Sequence, residues 1–154
     1  MTAWLANYFT YGDSFCFHDG LAGCRTPESY KEKLRSIPVN HVGDSDSGLL
    51  FVDLAYMFPD SPVVIIKRDI LDCKESYEKK FGKIPDIAWG YMDTAMKKHK
   101  GLIVDFRDIP ARLDEISEYC IGQKLPQERK EFLLNLNIQI IQNKAELSFL
   151  TEGY

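Results

Sequence analysis

The sequence predicts an α/β domain with a mainly parallel sheet and helices on both of its faces. The run Pro62-Val63-Val64-Ile65-Ile66 is continuous and β-branched, as a strand covered on two sides requires. Past Arg68 the apolar period changes, with Ile70, Cys73, Tyr77 and Phe81 at helical spacing and Gly82 placed to stop the helix. Leu102-Ile103-Val104 followed by Ile109, Leu113, Ile116 and Cys120 repeats the same order of strand then helix, ending at Gly122. Strands that alternate with helices in this way pair in parallel.

The remaining elements follow along the chain. Thr2 to Thr10 reads as a helix and Ser14 to Phe17 as a short strand. Pro27 to Leu34 reads as a helix entered through a Thr26 cap, with Glu28 in the first turn. Val39 to Val42 predicts a strand that runs into a polar turn, Gly43 to Gly48. Leu49 to Phe58 is apolar on more than one face, which predicts a buried helix ended by Pro59. Ile87, Tyr91 and Ala95 mark a further helix, and a last one from Pro126 carries Phe132, Leu133 and Leu136. No repeat, low-complexity stretch or linker divides the chain, so residues 1–154 are expected to form a single domain.

Composition excludes several classes of function. With 154 residues, 45% hydrophobic and 27% charged, the chain can bury a sizeable core and is neither disordered nor collagen-like. A net charge of -4, with no long basic run, offers no footprint for nucleic acid, and none is expected as a partner. No apolar stretch approaches the roughly 18 residues a membrane span needs, and no secretory leader is evident, so a cytoplasmic protein without membrane contact is expected. Cys16, Cys24, Cys73 and Cys120 lie far apart with no histidines at ligand spacing, which predicts reduced thiols and no metal.

In sheets of this kind ligands collect beyond the carboxyl ends of the strands. Three places qualify. Arg68 ends the strongest strand, and with Ser76 two helical turns later it can grip a phosphate through a guanidinium and a hydroxyl. The competing reading is an ion pair of Arg68 with Asp72 or Glu75, with Ser76 a plain helix-surface serine. His18-Asp19 follows the first strand and has the chemistry of a general base, although such pairs are also common in turns held by the aspartate side chain. The Gly43 to Gly48 stretch is accounted for by helix capping from Ser45, Asp46 or Ser47, with a substrate contact as the alternative.

Together these segments resemble the sulfotransferases that use 3′-phosphoadenosine 5′-phosphosulfate, especially compact bacterial and phage-type members. Thr2-Ala3-Trp4-Leu5-Ala6-Asn7 is similar to the start of the helix after that family's phosphate loop. The segment from Phe58 to Asp69 is similar to its "FPDAKVVxIxRDP" block, and Arg68 with Ser76 keeps the Arg-x7-Ser interval of its 3′-phosphate site. The resemblance implies a P-loop NTPase-like sulfotransferase fold and metal-free transfer of a sulfuryl group to a hydroxyl or amine of a small-molecule or glycan acceptor. Arg68, Ser76 and Thr2 would then contact the nucleotide, with Asp19 as the base and His18 as the second choice.

Two features depart from the family pattern. Ile70 stands where proline usually follows Arg-Asp. Upstream of Thr2 there is only Met1, in place of the family's first strand and most of its phosphate loop. Without that strand the sheet would have a gap of about 10 Å lined by unpaired backbone groups. The expectation is therefore a late-starting chain, or a gap filled by Leu136 to Ile141 or by a strand swapped within a homodimer. A non-catalytic scaffold of the same ancestry, and a P-loop nucleotide kinase relative, are the competing functional readings.

Overall fold

A computed structural model describes residues 2–83 and 85–135, with the side chains of all of these except 2, 80 and 81. In chain order the first elements are α1 (Thr2–Phe9), β1 (Ser14–His18), α2 (Pro27–Arg35), β2 (His41–Ser45), a 3-10 turn (Ser47–Phe51) and α3 (Leu54–Met57). Then come β3 (Val64–Lys67), α4 (Ile70–Phe81), α5 (Asp86–Met96), β4 (Leu102–Asp105), a second 3-10 turn (Phe106–Asp108), α6 (Ile109–Ile121) and α7 (Gln127–Leu134). The α/β class is as the sequence predicts, but the strands form two separate parallel pairs, β1 with β2 and β3 with β4, in place of one sheet. No helix among the described residues is long and apolar enough to cross a membrane.

The chain divides into two compact units, one from residues 1–48 and 125–154 and the other from 49–124. In the first, β1 and β2 pair from Ser14 with His41 to His18 with Ser45. The core is built on α1, where Leu5, Ala6 and Tyr8 are buried and Tyr8 stacks on Trp4 with ring centroids 5.4 Å apart. Helix α7 closes this core with Leu133, and the Trp4 indole donates to the Leu133 carbonyl at 3.0 Å. The last carbonyls of a helix have no partner within it, and α1 has no basic residue in its last turn. Arg129 supplies the missing donor, its Nη2 reaching Asn7 O at 2.6 Å and Thr10 O at 3.1 Å.

Helix α2 starts as expected. Thr26 Oγ1 accepts from Ser29 N and Ser29 Oγ accepts from Thr26 N, a reciprocal capping box with Pro27 in the first turn. Strand β2 differs from expectation: it begins at His41 and extends through Gly43-Asp44-Ser45, so half of the predicted turn is strand. Its parallel ladder with β1 runs to Ser45, a long-range pairing that local turn chemistry does not reveal.

In the second unit the predicted buried helix over Leu49–Phe58 is two short pieces, neither of which buries a residue. Asp53 accepts from Tyr56 N and so starts a new helix where the old one would have continued. Phe51 and Tyr56 are consequently exposed. Strands β3 and β4 pair from Val64 with Leu102 to Lys67 with Asp105. Val104 is fully buried, as are Ile109, Leu113 and Ile116 of α6, whereas Ile103, on the opposite side of the pleat, is 48% exposed. On β3, the strand expected to be covered on two sides, Ile65 is buried and Val64 and Ile66 are half-buried. Gly82 and Gly122, with φ of 88° and 71°, end α4 and α6 at the predicted positions.

Of the three residues whose spacing marks α5, Ala95 is buried but Ile87 and Tyr91 are exposed, and Trp89 is buried in their stead. Trp89 meets Tyr77 of α4 edge to face, which selects that side. On α7 Phe132 is exposed, and the predicted Leu136 and the Leu136–Ile141 segment lie outside the described residues.

Candidate functional site

Strand β3 delivers Lys67 and Arg68, and β4 delivers Asp105, to the same carboxyl-terminal edge, because Lys67 and Asp105 are register partners. Beyond that edge lies an open cleft of about 410 Å³ lined by Lys67, Arg68, Asp69, Asp72, Asp105, Phe106 and Arg107. Three basic and three acidic side chains share it. The Arg68 guanidinium lies 5.0 Å from the centroid of the Phe106 ring, a cation–π contact within the cleft lining. Arg68 lies close enough to the first turn of α4 for its charge to oppose the burial that pushes the Cys73 thiol up.

The carboxylates have distinct tasks. Asp69 caps α4, accepting from Leu71 N at 2.8 Å and Asp72 N at 3.3 Å, so the helix terminus spends amide donors on its own chain. Asp105 accepts from Arg107 N at 2.9 Å and starts the second 3-10 turn. Asp72, which the spacing offers to Arg68, pairs with Arg107 Nη2 at 3.5 Å. With the amide donors of Leu71 and Asp72 taken, the donors left for an anion here are the Arg68 and Arg107 guanidinium groups and the Lys67 ammonium, set beside three carboxylates. Each arginine can offer paired donors to one anionic group. Among the described residues no group of three or more His, Cys, Asp or Glu side chains is placed to hold a metal ion.

Ser76 is exposed on α4 and does not line the cleft, so the structure places Arg68 in the cleft wall and leaves Ser76 outside it. Thr2 opens α1, and its side chain lies outside the described residues. Phe106 and Arg107 are cleft residues that sequence reasoning misses. Their signal was available: an aromatic and a cation immediately after a predicted strand.

His18 and Asp19 end β1 in the first unit. His18 Nε2 lies 3.4 Å from Asp19 Oδ2, and Asp19 has φ of 54°, the only positive value at a non-glycine among the described residues. Aspartate tolerates this left-handed conformation better than most residues, and such backbone often marks a functional turn. Asp19→Gly, which relieves it, should fall within about 0.5 kcal/mol of the parent in urea unfolding, whereas Asp19→Val should lose about 1–2 kcal/mol. Equal losses in both variants would mean that the carboxylate, and not the backbone, is what the fold uses there.

The same turn is braced from below by a network that sequence reasoning missed. Asp44 Oδ1 accepts from Gly20 N at 3.0 Å, and Asp44 Oδ2 accepts from the buried Tyr30 hydroxyl at 2.8 Å. Asp46 accepts from Leu21 N at 3.1 Å and from Gly48 N at 2.7 Å. Lys33 Nζ donates to Gly20 O at 2.7 Å and lies 5.1 Å from the Phe17 ring centroid. Burial holds the Asp44 carboxyl above its ordinary value, against the opposing pull of the Tyr30 and Gly20 hydrogen bonds. The Tyr30 hydroxyl is likewise pushed up, by burial and by Asp44. The Gly43–Gly48 stretch thus joins the site as a support for the His18–Gly20 turn, with Asp46 capping Gly48 as one of its two tasks. The sequence hint was Tyr30, the one aromatic on a mostly polar helix.

No family model, no curated protein and no solved structure matches this chain.

Proposed function

We propose that this chain is a sulfotransferase-like protein of the cytoplasm whose cleft at the ends of β3 and β4 takes the 3′-phosphate of 3′-phosphoadenosine 5′-phosphosulfate. The reading rests on Arg68, which stands in a cleft wall at the end of a parallel strand and directly before α4, where the family pattern has its phosphate-binding arginine. A doubly charged phosphate fits a wall that offers Arg68 and Arg107. The donor supplies the sulfuryl group, and the acceptor is a hydroxyl or amine of a small molecule or glycan. When a hydroxyl reacts, its oxygen bonds to sulfur and gives up its proton as the sulfur–oxygen bond to the departing phosphate breaks, and the family resemblance makes the Asp19 carboxylate the first candidate to take that proton. His18, 3.4 Å away, orients that carboxylate and is the second candidate for the proton.

The test is calorimetric titration with adenosine 3′,5′-bisphosphate. Arg68→Ala should weaken binding at least about tenfold, the worth of a charge-assisted contact. Ser76→Ala should weaken it less, because its hydroxyl is outside the cleft lining. Equal affinity in the parent and Arg68→Ala would overturn the reading. A non-catalytic scaffold is favoured by one observation: the cleft's three cations are matched by three carboxylates. It predicts that Asp19→Gly leaves the protein's cellular effect intact, whereas the enzyme reading predicts loss of sulfuryl transfer from a radiolabelled donor.

A further inference from the structure

Arg107 and Asp72 both line the cleft and meet there as an ion pair, Asp72 from the first turn of α4 and Arg107 from the turn after β4. Arg107 has a side chain 80% exposed and Asp72 one 46% exposed, and they meet through a single contact at 3.5 Å. Such a pair between solvated groups adds little to stability. Asp105 and Asp69 are committed to backbone amides, so Asp72 is the cleft carboxylate that answers a cation. Arg68, by contrast, is steadied on the Phe106 ring. The two guanidinium groups lie on neighbouring segments, one after β3 and the other in the turn after β4.

We infer that Arg107 is a second anion-binding residue of this cleft and that Asp72 competes with the ligand for it. An entering phosphate exchanges a one-point carboxylate contact for a two-point contact with a planar guanidinium, and Asp72 is released to water. Asp72 therefore sets the affinity: it lowers binding of any anion at this place and favours those charged enough to displace it. A doubly charged phosphate monoester or a pyrophosphate qualifies, and a singly charged carboxylate does not. The inference deepens the nucleotide reading and rests on it for the identity of the natural ligand, but the exchange itself concerns any such anion.

The experiment titrates inorganic pyrophosphate and, separately, adenosine 3′,5′-bisphosphate into the parent, Arg107→Ala, Asp72→Asn, Arg68→Ala and Glu118→Gln, with thermal melts confirming that each variant is folded. Glu118, in the last turn of α6, removes the same unit of charge away from the cleft. Arg107→Ala should bind pyrophosphate about tenfold more weakly. Asp72→Asn should bind it about three- to fivefold more tightly, and Glu118→Gln should match the parent. Pyrophosphate affinities unchanged in both Arg107→Ala and Asp72→Asn, or tightened equally by Asp72→Asn and Glu118→Gln, overturn the inference. If those variants behave as expected with pyrophosphate while the bisphosphate does not bind, the nucleotide reading falls and the exchange stands. If Arg68→Ala abolishes bisphosphate binding and Arg107→Ala does not alter it, the reverse holds. A parent that binds neither probe overturns both.

Discussion

Gly101→Ala should destabilise the protein by about 3 kcal/mol, the upper end of what forced overpacking costs. A Cβ at this position would lie 2.0 Å from the carbonyl oxygen of Val63 and 2.9 Å from its carbonyl carbon, closer than real Cβ atoms come. The oxygen has no room to retreat, because it accepts from Leu102 N at 2.9 Å where β4 begins to pair with β3. Making space means parting the two strands at the end of their ladder. Urea unfolding at 25 °C reads this directly, and Gly90→Ala is the matched control. Gly90 lies exposed in α5 with nothing within 4 Å of its would-be Cβ, so the same change should stabilise by about 0.5–1 kcal/mol. Opposite signs for one substitution in one unit would locate the effect in the strand contact. An unchanged midpoint for Gly101→Ala would contradict the close approach of Gly101 to Val63.

The second large effect is expected at Gly20→Ala. Its Cβ would lie 2.4 Å from Asp44 Oδ2, so the carboxylate must swing away and leave the Tyr30 hydroxyl and the Gly20 amide without their acceptor. Stranding buried donors in this way should cost about 2 kcal/mol. The Asp44 network also has a pH signature. Burial raises the carboxyl's folded value, so upward from the ordinary aspartate value the folded chain holds a proton that the unfolded chain has released. In that window stability falls as pH rises, and the benefit is fully present only below the unfolded value. Asp86 and Glu115, lowered by Lys74 and Arg112, tilt the parent's curve the other way, so the informative quantity is the difference between parent and Asp44→Asn. That difference, from urea midpoints between pH 4 and 7, should shift in favour of Asn as pH rises. A flat difference would mean that Asp44 is not held in a desolvated place.

What the sequence reveals and what it hides divide along the range of the interactions. The unit from β3 through Arg68 to Gly82 is legible because each signal is local: a β-branched run, an aspartate able to cap, a glycine able to take positive φ. Helix α6 and its Gly122 stop are legible for the same reason. The clamp around Asp44 is not, since its partner Gly20 is 24 residues away and only the pairing of β1 with β2 brings them together. The face of α5 is hidden likewise, because Ile87 and Tyr91 have the apolar spacing but Trp89 has the neighbour. Arg68 could be singled out from its position at a strand end. Its companions Phe106 and Arg107 carry the local signal of an aromatic and a cation just past a strand, but that they share a cleft with Arg68 follows from the β3–β4 register, a tertiary fact.

The clasp of Arg129 on the end of α1 has a consequence for how the chain is made. A ribosome releases α1 first, yet the donor for Asn7 O is 122 residues further on. At ordinary synthesis rates that is a wait on the order of ten seconds. Residues 49–124 emerge in between as a continuous stretch, free to close their own contacts while the N-terminal helix still lacks Trp4's acceptor and Leu133's side chain. Among the described residues, 49–124 therefore have all of their own unit in hand before α1 meets its last partners, which α7 brings.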